Sequence, residues 1–94
     1  MHYVYVVRCA DETLYTGYAT DVTHRVAVHN SGRGAKYTRA RLPVTLVYWE
    51  ECADKSSALK RECAIKSMTR TQKETLILQA SADMSENKEG SNTC

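Results

Sequence analysis

Residues 14–30 read LYTGYATDVTHRVAVHN, and the way this stretch divides decides the fold. Leu14 to Gly17 has the composition of a short strand, with Tyr15 and Gly17 on one face. Thr20 or Asp21 then offers a side-chain oxygen to an orphan backbone N–H, the mark of a helix start. The helix is expected to run to about Asn30, with Gly32 as its stop. Val22 and Val26 form one apolar i,i+4 pair, and Arg25 and His29 form a second pair rotated from it. The valines are expected to face a sheet while Arg25 and His29 sit at its margin. A strand ending in glycine, followed by a helix bearing an arginine and a histidine, leaves Tyr15 beside open space.

Working outward, HYVYVVRC (His2–Cys9) is β-branched and aromatic and predicts a strand. It lacks polar alternation, which predicts cover on both faces. Period two puts Tyr3, Tyr5 and Val7 on one face and Val4 and Val6 on the other. The polar run ADET (Ala10–Thr13) predicts a hairpin turn into the Leu14 strand. Downstream, SGRGAKYTRARLP (Ser31–Pro43) reads as a loop with one helical turn near Lys36–Arg39. VTLVYWEE (Val44–Glu51) predicts a third strand, with Val44, Leu46 and Tyr48 opposing Thr45, Val47 and Trp49.

A helix follows, capped by Asp54 or Ser56, with Ala58, Leu59, Cys63 and Ile65 as its apolar set. Glu62 falls within that arc or at its edge, where a lone acid is costly unless it is paired or coordinating. TRTQ (Thr69–Gln72) matches a capping box and predicts a last helix from about Arg70 to Leu78. From Gln79 the composition turns to Ser, Asn, Glu, Lys and Gly, which predicts a disordered polar tail over 79–94. The expected whole is one α+β domain over residues 1–78. A small three-stranded, largely antiparallel sheet is flanked by helices in the order ββαβαα.

Composition narrows the function. The 94 residues include six Tyr, one Trp and no Phe, so buried aromatics must find hydroxyl partners or open onto a cleft. Cys9, Cys52, Cys63 and Cys94 show no zinc-ligand spacing, and Met1–Ala10 does not read as a signal peptide. No run approaches the ~20 apolar residues of a membrane span. Reduced thiols, a cytoplasmic location and no membrane partner are expected. Net charge is only +2, yet between Val22 and Arg41 there are five Lys or Arg, two His and no acid. Such a one-sign segment attracts phosphates.

Tyr5, Tyr15, Gly17, Arg25, His29 and Glu62, in this order and context, resemble the GIY-YIG nuclease domain. The first motif is similar to YVY (Tyr3–Tyr5) and the second to YTG (Tyr15–Gly17), with Arg25 ten residues after Tyr15. Tyr3 stands where the family's name-giving glycine stands, and the family's frequent late asparagine has no clear counterpart. The resemblance covers roughly residues 2–78 and is closest to the small stand-alone bacterial members, which carry a stretch similar to GAKYTRARLPVTLVY (Gly34–Tyr48).

It implies a metal-dependent endonuclease acting on DNA. Tyr5 or Tyr15 would be the general base, Arg25 a phosphate clamp, and His29 an orienting or phosphate-contacting group. Glu62 would ligate Mg²⁺ or Mn²⁺, and Lys36, Tyr37, Thr38 and Arg39 would form a phosphate-contacting loop. Selection by DNA shape or strand state is expected, since no reading helix or zinc finger is present. The competing reading is a non-catalytic nucleic-acid-binding module of the same fold, and a more distant one is a protein–protein adaptor.

Overall fold

A computed structural model describes residues 1–88. Strand β1 (His2–Arg8) turns back through a tight hairpin into β2 (Leu14–Ala19). The turn is closed by Cys9 N–H donating to the Thr13 carbonyl at 2.8 Å, with Glu12 at φ 71°. Helix α1 (Val22–Asn30) follows, then the single turn α2 (Lys36–Arg39), strand β3 (Thr45–Cys52), and helices α3 (Lys55–Lys66) and α4 (Arg70–Lys88). The strand order is β2-β1-β3, and both pairings are antiparallel. The expected α+β architecture and its ββαβαα order are the observed ones.

β1 is the central strand and is buried on both sides, which explains its unbroken apolar run. Val4 and Val6 pack with Ala58, Ile65 and Ile77 on the face covered by α3 and α4. Tyr5 and Val7 pack with Cys9, Ala19 and Val44 on the other face, closed by Val22 and Val26 of α1. The two valines therefore face the sheet as their spacing predicts.

The helix termini follow their local signals. Asp21 accepts from the His24 N–H at 3.0 Å, and Asp54 from the Ser57 N–H at 2.8 Å. Thr69 and Gln72 cap each other's backbone N–H reciprocally. Gly32, at φ 84°, ends α1 in the left-handed conformation that favours glycine.

Four details differ from expectation, each for a local reason. β2 continues past Gly17 to Ala19 because Gly17 stays paired with Tyr5 in the ladder. β3 begins at Thr45, since both backbone groups of Val44 are taken by the Asn30 side chain: Val44 N–H donates to Oδ1 at 2.7 Å, and Nδ2 donates to the Val44 carbonyl at 3.0 Å. A bulge between Val6 and Val7 then breaks the alternation of β3. Leu46 packs on the Tyr5 face, whereas Val47 and Tyr48 both pack on the α3 face. Finally, α4 extends to Lys88 rather than closing near Leu78. Residues 79–88 contain no Gly or Pro and several good helix formers. The remainder of the expected tail, 89–94, lies outside the described residues.

Candidate active site

The site is built around the hydroxyl of Tyr5. Tyr5 and Gly17 are cross-strand partners, and a Cβ at position 17 would fall 2.5 Å from the Tyr5 Oη and 2.6 Å from Cζ. The ring therefore crosses over residue 17, a passage open only where there is no side chain. β2 is an edge strand, so this crossing carries the phenol of the central strand out over the sheet margin.

His29 comes down from the last turn of α1 to meet it. Its Nε2 lies 2.7 Å from the Tyr5 Oη, and its Nδ1 lies 2.9 Å from the Thr38 Oγ1. His29 and Thr38 are 0% exposed and Tyr5 is 1% exposed. The expectation of His29 at the helix margin is thereby corrected. A polar ring can be buried here because both nitrogens have partners. Tyr5 also does not face an open cleft, since its hydroxyl is enclosed with the histidine. Thr38 lies beneath this pair, while its neighbours Lys36, Tyr37 and Arg39 are exposed.

Tyr15, half-buried, packs edge-on against His29 with ring centroids 5.5 Å apart. Tyr37 stacks on Tyr15 at 5.9 Å, and the Arg41 guanidinium lies 4.0 Å above the Tyr37 ring. Arg41 is itself held by Asp11 at 3.0 Å and donates to the Tyr37 carbonyl at 2.7 Å. The α2 segment is thus tied to the β1–β2 hairpin through a layered stack that begins on the site histidine.

Charge converges on the same point. Burial pushes the Tyr5 phenol above its ordinary range. Arg25 opposes that push, while Tyr15 and the Glu62 carboxylate add to it. Burial also lowers the His29 pKa, and the positive charge of Arg25 lowers it further, so the neutral ring is favoured. Arg25, Tyr15, His29 and Glu62 are therefore all felt at or bonded to one hydroxyl. None of the described ion pairs uses Arg25.

Glu62 lies on α3, which packs against the opposite face of the sheet, and its charge is the smallest of the named influences at Tyr5. The sheet-facing stripe of α3 is Ala58, Arg61, Glu62 and Ile65, whereas Leu59 and Cys63 point outward. This corrects the expected apolar set. Arg61 can lie inward because its Nε donates to Glu50 at 2.9 Å, and Glu50 in turn accepts from the Tyr48 hydroxyl. The Glu62 side chain is 17% exposed, with Oε2 3.0 Å from the Lys66 Nζ.

Sequence reasoning missed three contributors. Gly34 lies so close to His29 that a Cβ there would strike Nδ1. Asn30 pins the strand that follows, and Arg41 anchors the aromatic stack. The two loop glycines of SGRGA were a visible signal for a tight approach; nothing local marks the other two.

A family model described as GIY-YIG catalytic domain matches residues 1–75, and the chain belongs to that family. The domain points to a nuclease-type enzyme with a nucleic-acid substrate. Among its relatives, a UPF0213 protein of Natronomonas pharaonis is 60% identical over 76 residues, covering 81% of this chain and 89% of the relative. One of Staphylococcus haemolyticus is 55% identical over 76 residues, covering 81% and 93%. The solution structure of a UPF0213 protein from Bacillus halodurans matches with a TM-score of 0.58 at 40% identity, covering 98% of each chain. The relatives are archaeal as well as bacterial, which widens the expected bacterial branch.

Proposed function

We propose that the protein is a divalent-metal-dependent endonuclease that hydrolyses DNA phosphodiester bonds, with residues 1–78 as its catalytic unit and the cytoplasm as its location. The observation that carries this reading is the 2.7 Å contact between the Tyr5 hydroxyl and His29 Nε2, with the positive charge of Arg25 acting on both groups.

The chemistry needs a water deprotonated near neutral pH. A free tyrosine is a poor base there, with only about one molecule in a thousand ionised, and burial of Tyr5 makes a standing phenolate scarcer still. The neighbouring imidazole supplies a way around that cost. Tyr5 is 1% exposed, so substrate binding would have to open its hydroxyl to a water; as that water gives a proton to the Tyr5 oxygen, Tyr5 passes its own proton to His29, and no free phenolate is required. Arg25, free of any described carboxylate partner, clamps a non-bridging phosphate oxygen; its planar fork suits that geometry. Tyr15, the more accessible tyrosine, meets the phosphate first. Exposed Lys36, Tyr37 and Arg39 hold the adjoining backbone, whereas Thr38 is buried away from it.

The donor set fits Mg²⁺ or Mn²⁺. Among the described residues no group of three His, Cys, Asp or Glu could hold a metal, and by resemblance to the family the cation would rest on the oxygens of Glu62. Mg²⁺ binds through one or two carboxylates together with waters and substrate phosphate, so a lone glutamate suffices once the phosphate arrives. When bound, the cation supplies Lewis-acid stabilisation of the phosphate and the leaving oxygen. Lys66, now 3.0 Å from Glu62, neutralises the carboxylate in the free protein.

The wild type and Glu62→Ala are to be compared on duplex, nicked, single-stranded and branched DNA, with Mg²⁺, with Mn²⁺ and with chelator. Metal-dependent cutting that Glu62→Ala loses by at least 100-fold supports the enzyme. Binding without cutting, unchanged in the variant, overturns it in favour of a non-catalytic nucleic-acid-binding module.

A further inference from the structure

We infer that Thr38 is a positioning residue that fixes the tautomer of His29, making Nε2 the proton acceptor for Tyr5. The inference rests on the nuclease reading for its role in catalysis, but not for its geometry.

Hydrogens can be counted along one chain of contacts, from Tyr5 through His29 and Thr38 to Ala35. The Ala35 carbonyl can only accept; it takes the backbone N–H of Thr38 and Arg39 at 3.1 and 3.2 Å and the Thr38 Oγ1 hydroxyl at 2.9 Å, the shortest of the three. A hydroxyl has one hydrogen. With that hydrogen spent on Ala35, Oγ1 presents lone pairs to His29 Nδ1, 2.9 Å away, and that contact is a hydrogen bond only if Nδ1 carries the proton. A neutral imidazole holds one N–H, so Nε2 is left with its lone pair facing the Tyr5 hydroxyl at 2.7 Å. Every donor then has an acceptor: Tyr5 to His29, His29 to Thr38, Thr38 to Ala35. The opposite tautomer would turn an N–H toward Tyr5 and leave no vacancy for its proton.

The surrounding residues hold this arrangement. Thr38 and His29 are both 0% exposed, so water does not compete for either contact. Gly34 removes the side chain that would otherwise strike Nδ1. Arg41 and the Tyr15–Tyr37 stack tie down the turn that carries Thr38. In the reaction, the Tyr5 proton moves onto Nε2, the ring becomes an imidazolium whose Nδ1–H stays on Thr38, and the proton returns along the same path after cleavage. Thr38 itself touches no substrate.

The test uses ¹⁵N-labelled full-length protein and long-range ¹H–¹⁵N correlations of the His29 ring, in the wild type, Thr38→Ser and the near-isosteric Thr38→Val. The expected wild-type pattern is a protonated Nδ1 and a pyridine-like Nε2, kept in Thr38→Ser and shifted toward Nε2–H in Thr38→Val. An Nε2–H tautomer in the wild type, or an unchanged pattern in Thr38→Val, overturns the inference. If Thr38→Val does not fold, the wild-type and Thr38→Ser spectra decide it. On a cleavable DNA, Thr38→Val is expected to lower kcat 10- to 100-fold with little change in KM, and Thr38→Ser to restore it; loss confined to KM also overturns the inference. A wild type with the expected tautomer that cuts no DNA defeats the nuclease reading alone. A wild type that cuts with Nε2 protonated defeats this inference alone.

Discussion

At the scale of single residues, the two tyrosines are chemically identical and differently employed. Tyr5 is enclosed and bonded to His29, while Tyr15 is half-buried and packs against the same ring by its edge. Removing the Tyr5 hydroxyl takes away the proton path itself and leaves His29 Nε2 without its buried partner. Removing that of Tyr15 leaves the path intact. Tyr5→Phe is therefore expected to lower kcat at least 100-fold and Tyr15→Phe about 10-fold or less, in line with the usual worth of positioned acid–base groups. Single-turnover cleavage rates check this, and equal activity in both variants would remove Tyr5 from the mechanism.

Residue identity also explains what was readable in advance. Gly17, Arg25 and Glu62 stood out because each departs from what its local element wants: a glycine in a strand, a cation on a sheet-packing helix, an acid in an apolar arc. Thr38 was expected at the phosphate and is buried instead, because its hydroxyl meets His29 of another element.

At the scale of elements, α3 and α4 are held to the sheet by ion pairs as well as by apolar contacts. Arg8 of β1 makes two parallel bonds to Glu74 of α4, each 3.0 Å, and Arg70 joins at 3.2 Å. The Arg8 bonds hold the Glu74 carboxyl below its ordinary range. Asp11 and Asp54 are shifted the same way, by Thr13 with help from Arg41 and by the Ser57 cap respectively. The sign follows from linkage. A carboxyl whose folded pKa is depressed stabilises the fold above its unfolded pKa, and that contribution drains away as pH falls through the folded value. Thermal unfolding midpoints should therefore drop as pH is lowered from 5 toward 2. Glu74→Gln is expected to start lower at neutral pH and to lose less on acidification; parallel curves for the two proteins would show that the Arg8–Glu74 tie carries no stability.

Elements were also where the sequence was most and least legible. Caps and the hairpin follow nearest-neighbour chemistry, so the Thr69–Gln72 box was plain and each other cap was narrowed to two residues, of which Asp21 and Asp54 serve. The bulge beside Val47 was not, because it is a property of the pairing between β1 and β3 rather than of either strand alone. The inward turn of Arg61 was equally hidden, since it depends on a carboxylate on another element.

At the scale of the whole molecule, the chain carries a net charge of only +2, so attraction for nucleic acid must come from local clustering. Arg25, Lys36 and Arg39 lie on α1 and α2, the elements that frame the Tyr5–His29 pair. Three phosphate contacts predict that log K for duplex binding falls against log salt with a slope of about −3. Titrations between low and physiological salt measure it, and a slope near zero would mean these cations do not contact the backbone. Among the described residues no helix is long and apolar enough to cross a membrane.

The Tyr5 ring lying over Gly17 welds two motifs on neighbouring strands into one steric object. Neither position can drift alone: a methyl group at 17 evicts the phenol, and a smaller residue at 5 opens a void above the edge strand. Libraries randomised at both positions and selected for activity should return the pair Tyr–Gly together or not at all, and descendants of this chain that discard the chemistry are freed to vary both at once.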